Sequence, residues 1–236
     1  MTSLSAPVCL ALAASIAFGP AASAVAQSQI NGCSIEPQTR CEAADLAGAN
    51  LSMAQLRGAE LRGANLAGAN LRLADLRDAD LTGANLQGAL LAGAKLEGVR
   101  LAGADLSGVN LYSAELDGAD LAGADLRAAD LGSVELRGAD LSGADLTGAK
   151  LFRSDLSRAE LAGANLTGAD LSWANLFGAD LTGANLAMAE LSNAELGQAR
   201  LTGAEWVTRA TCGPDSIGEC RLEAAPQALE PERPPA

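Results

Sequence analysis

The sequence predicts an all-β chain wound as a four-sided parallel β-solenoid, and three observations carry that prediction. A leucine stands at every fifth position from Leu46 to Leu201, and Trp206 takes the next place. Two residues before each leucine sits Ala, replaced only by Val99, Val109, Val134 and Ser154. Features peculiar to one leucine series then recur every twenty residues. Two places after the leucine, the series that starts at Leu61 reads Gly63, Gly83, Gly103, Gly123, Gly143, Gly163, Gly183 and Gly203. The Leu51 series reads Met53, Leu73, Gly93, Ser113, Ser133, Arg153, Trp173 and Asn193 at that place.

A period of five suits neither regular element. A helix turns about 100° per residue, so every fifth residue drifts around the cylinder without forming a stripe. A plain strand has period two and would send successive leucines to opposite faces. A short fixed period over a long run is the mark of a solenoid, in which each turn buries its face against the next. The apolar pair, Ala59 and Leu61 for example, lies two residues apart and so falls on one side of an extended segment. The polar and glycine positions between pairs make the corner. Four such sides close a coil of twenty residues, which is the period at which the glycines sort. About eight coils, at roughly 4.8 Å each, give a rod about 40 Å long.

The unit A-[D/N/E]-L-x-G, as in Ala64-Asn65-Leu66-Ala67-Gly68, resembles the pentapeptide repeat family over residues 44–206. The resemblance implies a right-handed quadrilateral parallel β-helix with leucine and the small residue before it pointing inward. It implies little about activity, because one fold hosts many functions.

Composition narrows the function classes. The chain of 236 residues is 49% apolar but 3% aromatic, so its interior is made of Leu and Ala. Each buried leucine contributes on the order of 1.5–3 kcal/mol before entropy is subtracted. The net charge of −13 argues against direct nucleic-acid binding and against an anionic membrane surface. Histidine is absent, which removes the commonest metal ligand and general base. No nucleophile elbow or phosphate loop is present, and abundant Asp and Glu form pairs at any spacing, so no enzyme, cofactor or metal site is expected.

Residues 1–26 read as a signal peptide. Val8 to Phe18 is an apolar core too short to span a bilayer, followed by Gly19-Pro20 and two small-residue cleavage patterns ending at Ala24 and Ala26. No Lys or Arg precedes that core. The expected compartment is therefore periplasmic or extracellular. Residues 27–43 form an N-terminal cap with Cys33 and Cys41, and residues 207–222 a C-terminal cap with Cys212 and Cys220. Cys9 lies in the removed segment. Four cysteines in an exported chain allow three connectivities. Bridging needs Cα atoms within about 7 Å, and the pairs flank opposite ends of the rod, so local pairing is favoured. A disulfide loop over each end would block end-to-end aggregation of the open solenoid. A metal site is the competing reading, disfavoured by the spacing and the missing histidine. Residues 223–236, with four prolines, are expected to be disordered.

Two surface features stand out. On the Leu61 series the residues before the leucines form an acidic ladder of Glu60, Asp80, Asp120, Asp140, Glu160 and Asp180, interrupted by Arg100 and Arg200. Its readings are a solvated face that keeps the rod soluble, low-affinity calcium binding, or imitation of DNA. Imitation follows from the resemblance, since some cytosolic family members protect DNA gyrase by occupying its DNA site. An export signal, end disulfides and an unbroken repeat depart from that pattern. The second feature is an apolar strip on the Leu51 series, comprising Met53, Leu73, Leu90, Tyr112, Phe152 and Trp173. Such a strip is expected of a contact surface for a protein partner or a second copy. The competing explanation is that bulky residues merely fit a corner whose turn does not need glycine. Phe177 and Met188 are isolated bulky residues elsewhere.

Overall fold

The structure, a computed structural model, describes residues 29–207, 212 and 217–220. The expected signal peptide, most of the C-terminal cap and the Pro-rich tail lie outside the described residues.

Two-residue strands β1 (Gln29–Ile30) and β2 (Cys33–Ser34) open the described chain as an antiparallel hairpin. Their turn is Asn31-Gly32, with φ of 49° and 82°. Positive φ at both central residues is the turn whose twist matches a hairpin, and Asn-Gly is its preferred pair. Beyond it the chain pairs with itself at a twenty-residue offset. Asp45 pairs with Asn65, Asn50 with Asn70, Gln55 with Asp75 and Glu60 with Asp80, all parallel, and the four ladders continue up the chain. This is a parallel β-solenoid built on four ladders. Among the described residues no helix is long and apolar enough to cross a membrane.

Every backbone N–H of one repeat can be accounted for. In residues 69–73, the Ala69 N–H closes the corner by donating to the Leu66 carbonyl at 3.0 Å. Asn70 donates down to Ala49 at 2.9 Å, and Leu71 donates up to Leu90 at 2.7 Å. Leu73 also donates up, to Ala92 at 3.2 Å. That leaves the N–H of Arg72, which the Asn70 Oδ1 accepts at 3.3 Å. The residue before each leucine is therefore Asp or Asn so often because its side chain closes a short local turn with the residue two places on. The same contact recurs at Asp80, Asp120, Asp140 and Asp180, to the N–H groups of Thr82, Ala122, Ser142 and Thr182.

Each corner bends because the residue two places after the leucine takes a left-handed φ. All the glycines there do so, and so do Met53 (58°), Leu73 (57°), Arg153 (57°) and Trp173 (62°). A positive φ at the second central residue belongs to a type II turn. The corner of the Leu51 series is thus the same turn as the glycine corners, and the view that its turn does not need glycine is corrected.

Inside, the leucines and the residues two before them are buried through the middle of the rod, and Ala44, Ala49, Ala54, Leu191, Ala194 and Leu196 near its ends are partly buried. Val99, Val109 and Val134 fill the Ala place, and the buried Ser154 donates its hydroxyl to the Leu151 carbonyl at 2.6 Å. The ladders begin earlier than the repeat read from leucines alone, because Arg40 already pairs with Glu60. Cys41 occupies the leucine place five residues before Leu46 and is buried there. It is joined to Cys33 with a Cα separation of 5.5 Å, and the hairpin is thereby tied over the first coil. Cys212 is joined to Cys220 at 5.1 Å. Cys212 exchanges backbone bonds with the last coil, its carbonyl accepting from Gly203 and its N–H donating to Ala204.

The turn assignment is testable at Asp140, whose Oδ1 accepts from Ser142 at 2.8 Å. Asp140→Ala is expected to cost about 0.5–1.5 kcal/mol in chemical denaturation, whereas Asp140→Asn keeps the acceptor and most of the stability.

Candidate interaction face

The six residues of the apolar strip do not behave alike. Met53, Leu73, Tyr112 and Trp173 are more than half exposed, at 66%, 58%, 51% and 56%, and Phe152 is 37% exposed. Leu90 does not join them. It stands in the position before Leu91, paired between Asn70 and Asn110 on a ladder, and is half-buried. The strip is therefore a line of corner residues, with Leu90 on the adjoining side.

Two of these side chains, Leu73 and Tyr112, lie over the coil that follows. A Cβ added at Gly93 would fall 2.9 Å from Leu73 Cδ2, and one at Gly132 would fall 3.0 Å from the Tyr112 ring. Gly197 lies under Phe177 in the same way. Gly132 and Gly197 stand in the place just after a leucine, and neither has a positive φ. They are glycine because an aromatic ring from twenty residues earlier occupies the space. Sequence reasoning listed the bulky residues and missed these partners, although the twenty-residue offset could have found them. It also missed that the Arg153 guanidinium stacks over the Phe152 ring at 4.9 Å to the centroid.

Holding a non-glycine residue at positive φ costs about 1–2 kcal/mol. The Leu61 corner avoids this cost with glycine in each of the coils from Gly63 to Gly203. The Leu51 corner accepts it at Met53, Leu73, Ser113, Ser133, Arg153, Trp173 and Asn193. Met53→Gly and Trp173→Gly are each expected to leave the fold intact and to raise stability by up to about 1 kcal/mol. That is the strain removed less the greater entropy glycine loses on folding. Calorimetric melting of the single variants checks this.

The acidic ladder is a chain of turn-forming and ion-paired groups. Asp80 is buried, its carboxylate within 2.9 Å of Arg62 and 2.7 Å of Arg100, and Arg62 also reaches Glu42. Asp180 is paired with Arg200 at 3.1 Å, and Glu60 with Arg40 at 3.4 Å. Asp120, Asp140 and Glu160 continue the ladder between them. Arg100 and Arg200, which interrupt the ladder, offset its like charges, and Arg40 and Arg62 add to them. Among the described residues no three Asp, Glu or Cys side chains converge where a cation would sit.

Two carboxyls titrate in opposite senses. Burial pushes Asp80 up, but the Thr82 hydroxyl and N–H and the Arg100 guanidinium together hold it below the usual carboxylate range. Glu115 is raised, first by burial and then by the charge of Glu97, whose Oε2 is buried with no hydrogen-bond partner among the described residues. A depressed carboxyl adds stability above its unfolded pKa and loses it as pH falls through the folded value. A raised one adds stability below its unfolded pKa and loses it as pH rises through the folded value. At pH 7, Asp80→Asn is therefore expected to melt below the wild type and Glu115→Gln above it. Both differences should close as the pH falls below about 4, which melting curves across pH would read.

With this geometry in hand, relatives can be compared. The family model described as pentapeptide repeats matches in eight copies, over residues 39–78, 74–112, 114–153, 154–187 and 169–205. No curated protein matches the chain. Among solved structures, the chain is 41% identical to HetL, a pentapeptide repeat protein involved in heterocyst differentiation regulation in the cyanobacterium Nostoc sp. strain PCC 7120. That alignment covers 75% of this chain and 91% of HetL, with a TM-score of 0.30. A pentapeptide repeat protein from the Arabidopsis thaliana thylakoid lumen is 36% identical, covering 38% of this chain and 66% of its own, with a TM-score of 0.32. QnrB1, a plasmid-mediated fluoroquinolone resistance protein, is 18% identical over 72% of this chain and 81% of its own, with a TM-score of 0.37. The five-residue unit, the twenty-residue ladders and the family match agree: the chain belongs to the pentapeptide repeat family.

Proposed function

We propose that this chain is an exported, non-catalytic, acidic scaffold, which docks a protein partner or a second copy of itself along the Leu51 corner. On this reading the rod is a right-handed, four-sided β-helix of about eight coils, rigid enough to present a straight edge. The observation that carries the proposal is the conformational cost at that corner. Met53, Leu73 and Trp173 hold left-handed φ while their side chains stand largely in solvent. Glycine would satisfy the turn more cheaply, so these side chains are read as kept for what they touch outside the rod.

Export rests on the sequence of residues 1–26 and on cysteines placed in pairs at both ends, an arrangement suited to an oxidising compartment. A DNA-mimicking role is the second reading, for a cytosolic protein. The likeness to QnrB1 is one of fold alone. The acidic ladders weigh against this role. A duplex presents an unbroken row of anions, whereas here Arg62, Arg100, Arg137 and Arg200 sit among the carboxylates and neutralise them in groups.

Changing Tyr112, Phe152 and Trp173 together to Ser is expected to preserve folding and to abolish self-association or partner capture, read by sedimentation and by co-purification from native cells. A wild-type rod that is monomeric and captures nothing through this edge would overturn the proposal. Intact mass of the native protein, with and without alkylation, reads export. A start after Ala24 or Ala26 with no reactive thiol is expected, and a full-length chain with free thiols would favour the DNA-mimicking reading.

A further inference from the structure

The cations of this rod are unevenly committed. On most of the surface they sit against carboxylates: Arg62 on Glu42 and Asp80, Arg100 on Asp80, Arg137 on Asp117, Glu135 and Asp155, and Arg200 on Asp180. Among the described residues, Arg72, Lys95, Lys150, Arg153 and Arg158 have no carboxylate within 4.0 Å. The two lysines still share a ladder with acids, Lys95 with Glu115 and Lys150 with Asp130 and Asp170. The three arginines do not. The residues twenty before and after them are Ser52 and Ala92 for Arg72, Ser133 and Trp173 for Arg153, and Gly138 and Gly178 for Arg158.

Two of them stand on the apolar strip and the third on the corner beside it. Arg72 adjoins Leu73, and Arg153 adjoins Phe152 on the same corner, stacked on its ring. Arg158 lies on the next corner and lines a groove with Asn175, Phe177, Arg137 and Glu195, whose carboxylate is more than 4.0 Å from it. Among the described residues, the apolar corner of an acidic protein is therefore flanked by arginines that have no carboxylate partner. Aromatic residues and arginine together are the composition of binding hot spots.

We infer that the partner of this edge is an acidic protein segment that carries apolar side chains and lies extended along the rod. This deepens the docking proposal above and rests on it. Burying the edge removes water from the guanidinium groups of Arg72 and Arg153, with Arg158 beside them on the next corner, and only a partner that supplies carboxylates compensates them. A second copy docked through the same edge would instead oppose arginine to arginine. The net charge of −13 does not prevent the contact, because salt screens charges beyond about 8 Å at physiological ionic strength and leaves the local ones in control. From Leu73 to Trp173 is five coils, about 24 Å, which an extended segment spans in roughly seven or eight residues.

The test uses the full chain and two labelled dodecapeptides, Glu-Glu-Leu-Glu-Glu-Phe repeated twice and the same peptide with glutamine in place of each glutamate. Fluorescence anisotropy is expected to show the acidic peptide bound at least tenfold more tightly. The Arg72→Glu/Arg153→Glu/Arg158→Glu chain should lose that preference with an unchanged melting curve. Equal or tighter binding of the glutamine peptide, abolished in the Tyr112/Phe152/Trp173→Ser chain, would overturn the acidic partner and leave the docking edge standing. If neither peptide binds and the Ser chain still recovers every native complex of the wild type, the inference and the docking proposal both fail.

Discussion

Everything in this fold depends on how five backbone N–H groups per repeat are satisfied. Three bond to neighbouring coils and one closes the corner on the preceding leucine carbonyl, as Asn70, Leu71, Leu73 and Ala69 show. The fifth points away from any carbonyl and is taken by the Asp or Asn side chain two residues back. The scheme closes only if the residue after that one takes a left-handed φ. The alanine-leucine core then follows, since coils paired at a twenty-residue offset leave room inside for one leucine and one small residue per repeat.

The same scheme explains why the surface is acidic. The residue before the leucine is chosen for its acceptor oxygen, and Asn65 serves as well as Asp80. Excess negative charge is a by-product of that choice, and the arginines at 62, 100, 137 and 200 offset it in place. What the turn requirement cannot explain is why non-glycine residues crowd the Leu51 corner, when the other corners hold few of them, at Asp78, Ala128, Arg158, Met188 and Gln198. Its backbone is that of every other corner, yet its side chains include methionine, leucine, arginine and tryptophan at positions where glycine is cheapest. Internal structure accounts for part of this, because Leu73 and Tyr112 pack over Gly93 and Gly132. Met53 and Trp173 have no such glycine neighbour, since Leu73 and Asn193 stand twenty residues on.

The architecture was legible because the leucine period and the sorting of Gly63 to Gly203 both report the coil directly. The local chemistry was less so. The bond from Asn70 to the N–H of Arg72 spans two residues and leaves no periodic trace beyond the Asp/Asn preference itself. The start of the coil was hidden because Cys41 stands where a leucine is expected, and the Asn31-Gly32 hairpin because its strands are two residues long. Bulky corner residues were legible at Met53, Leu73, Tyr112, Phe152 and Trp173, but the turn beneath them was left open between two readings, since sequence cannot say whether a non-glycine corner has changed its backbone or borne the strain. Leu90 was misplaced for a related reason: hydrophobicity alone does not separate a corner residue from one on a paired side.

The most direct measurement is site-specific photo-crosslinking in native cells, with the reactive side chain placed at Tyr112, Phe152 or Trp173 and, as controls, at Ala122 or Thr182 on the Leu61 corner. The account predicts one discrete adduct shared by the three strip positions and absent from both controls. Equal labelling of the two corners, or none at the strip, would contradict the claim that the strained corner is held for a partner.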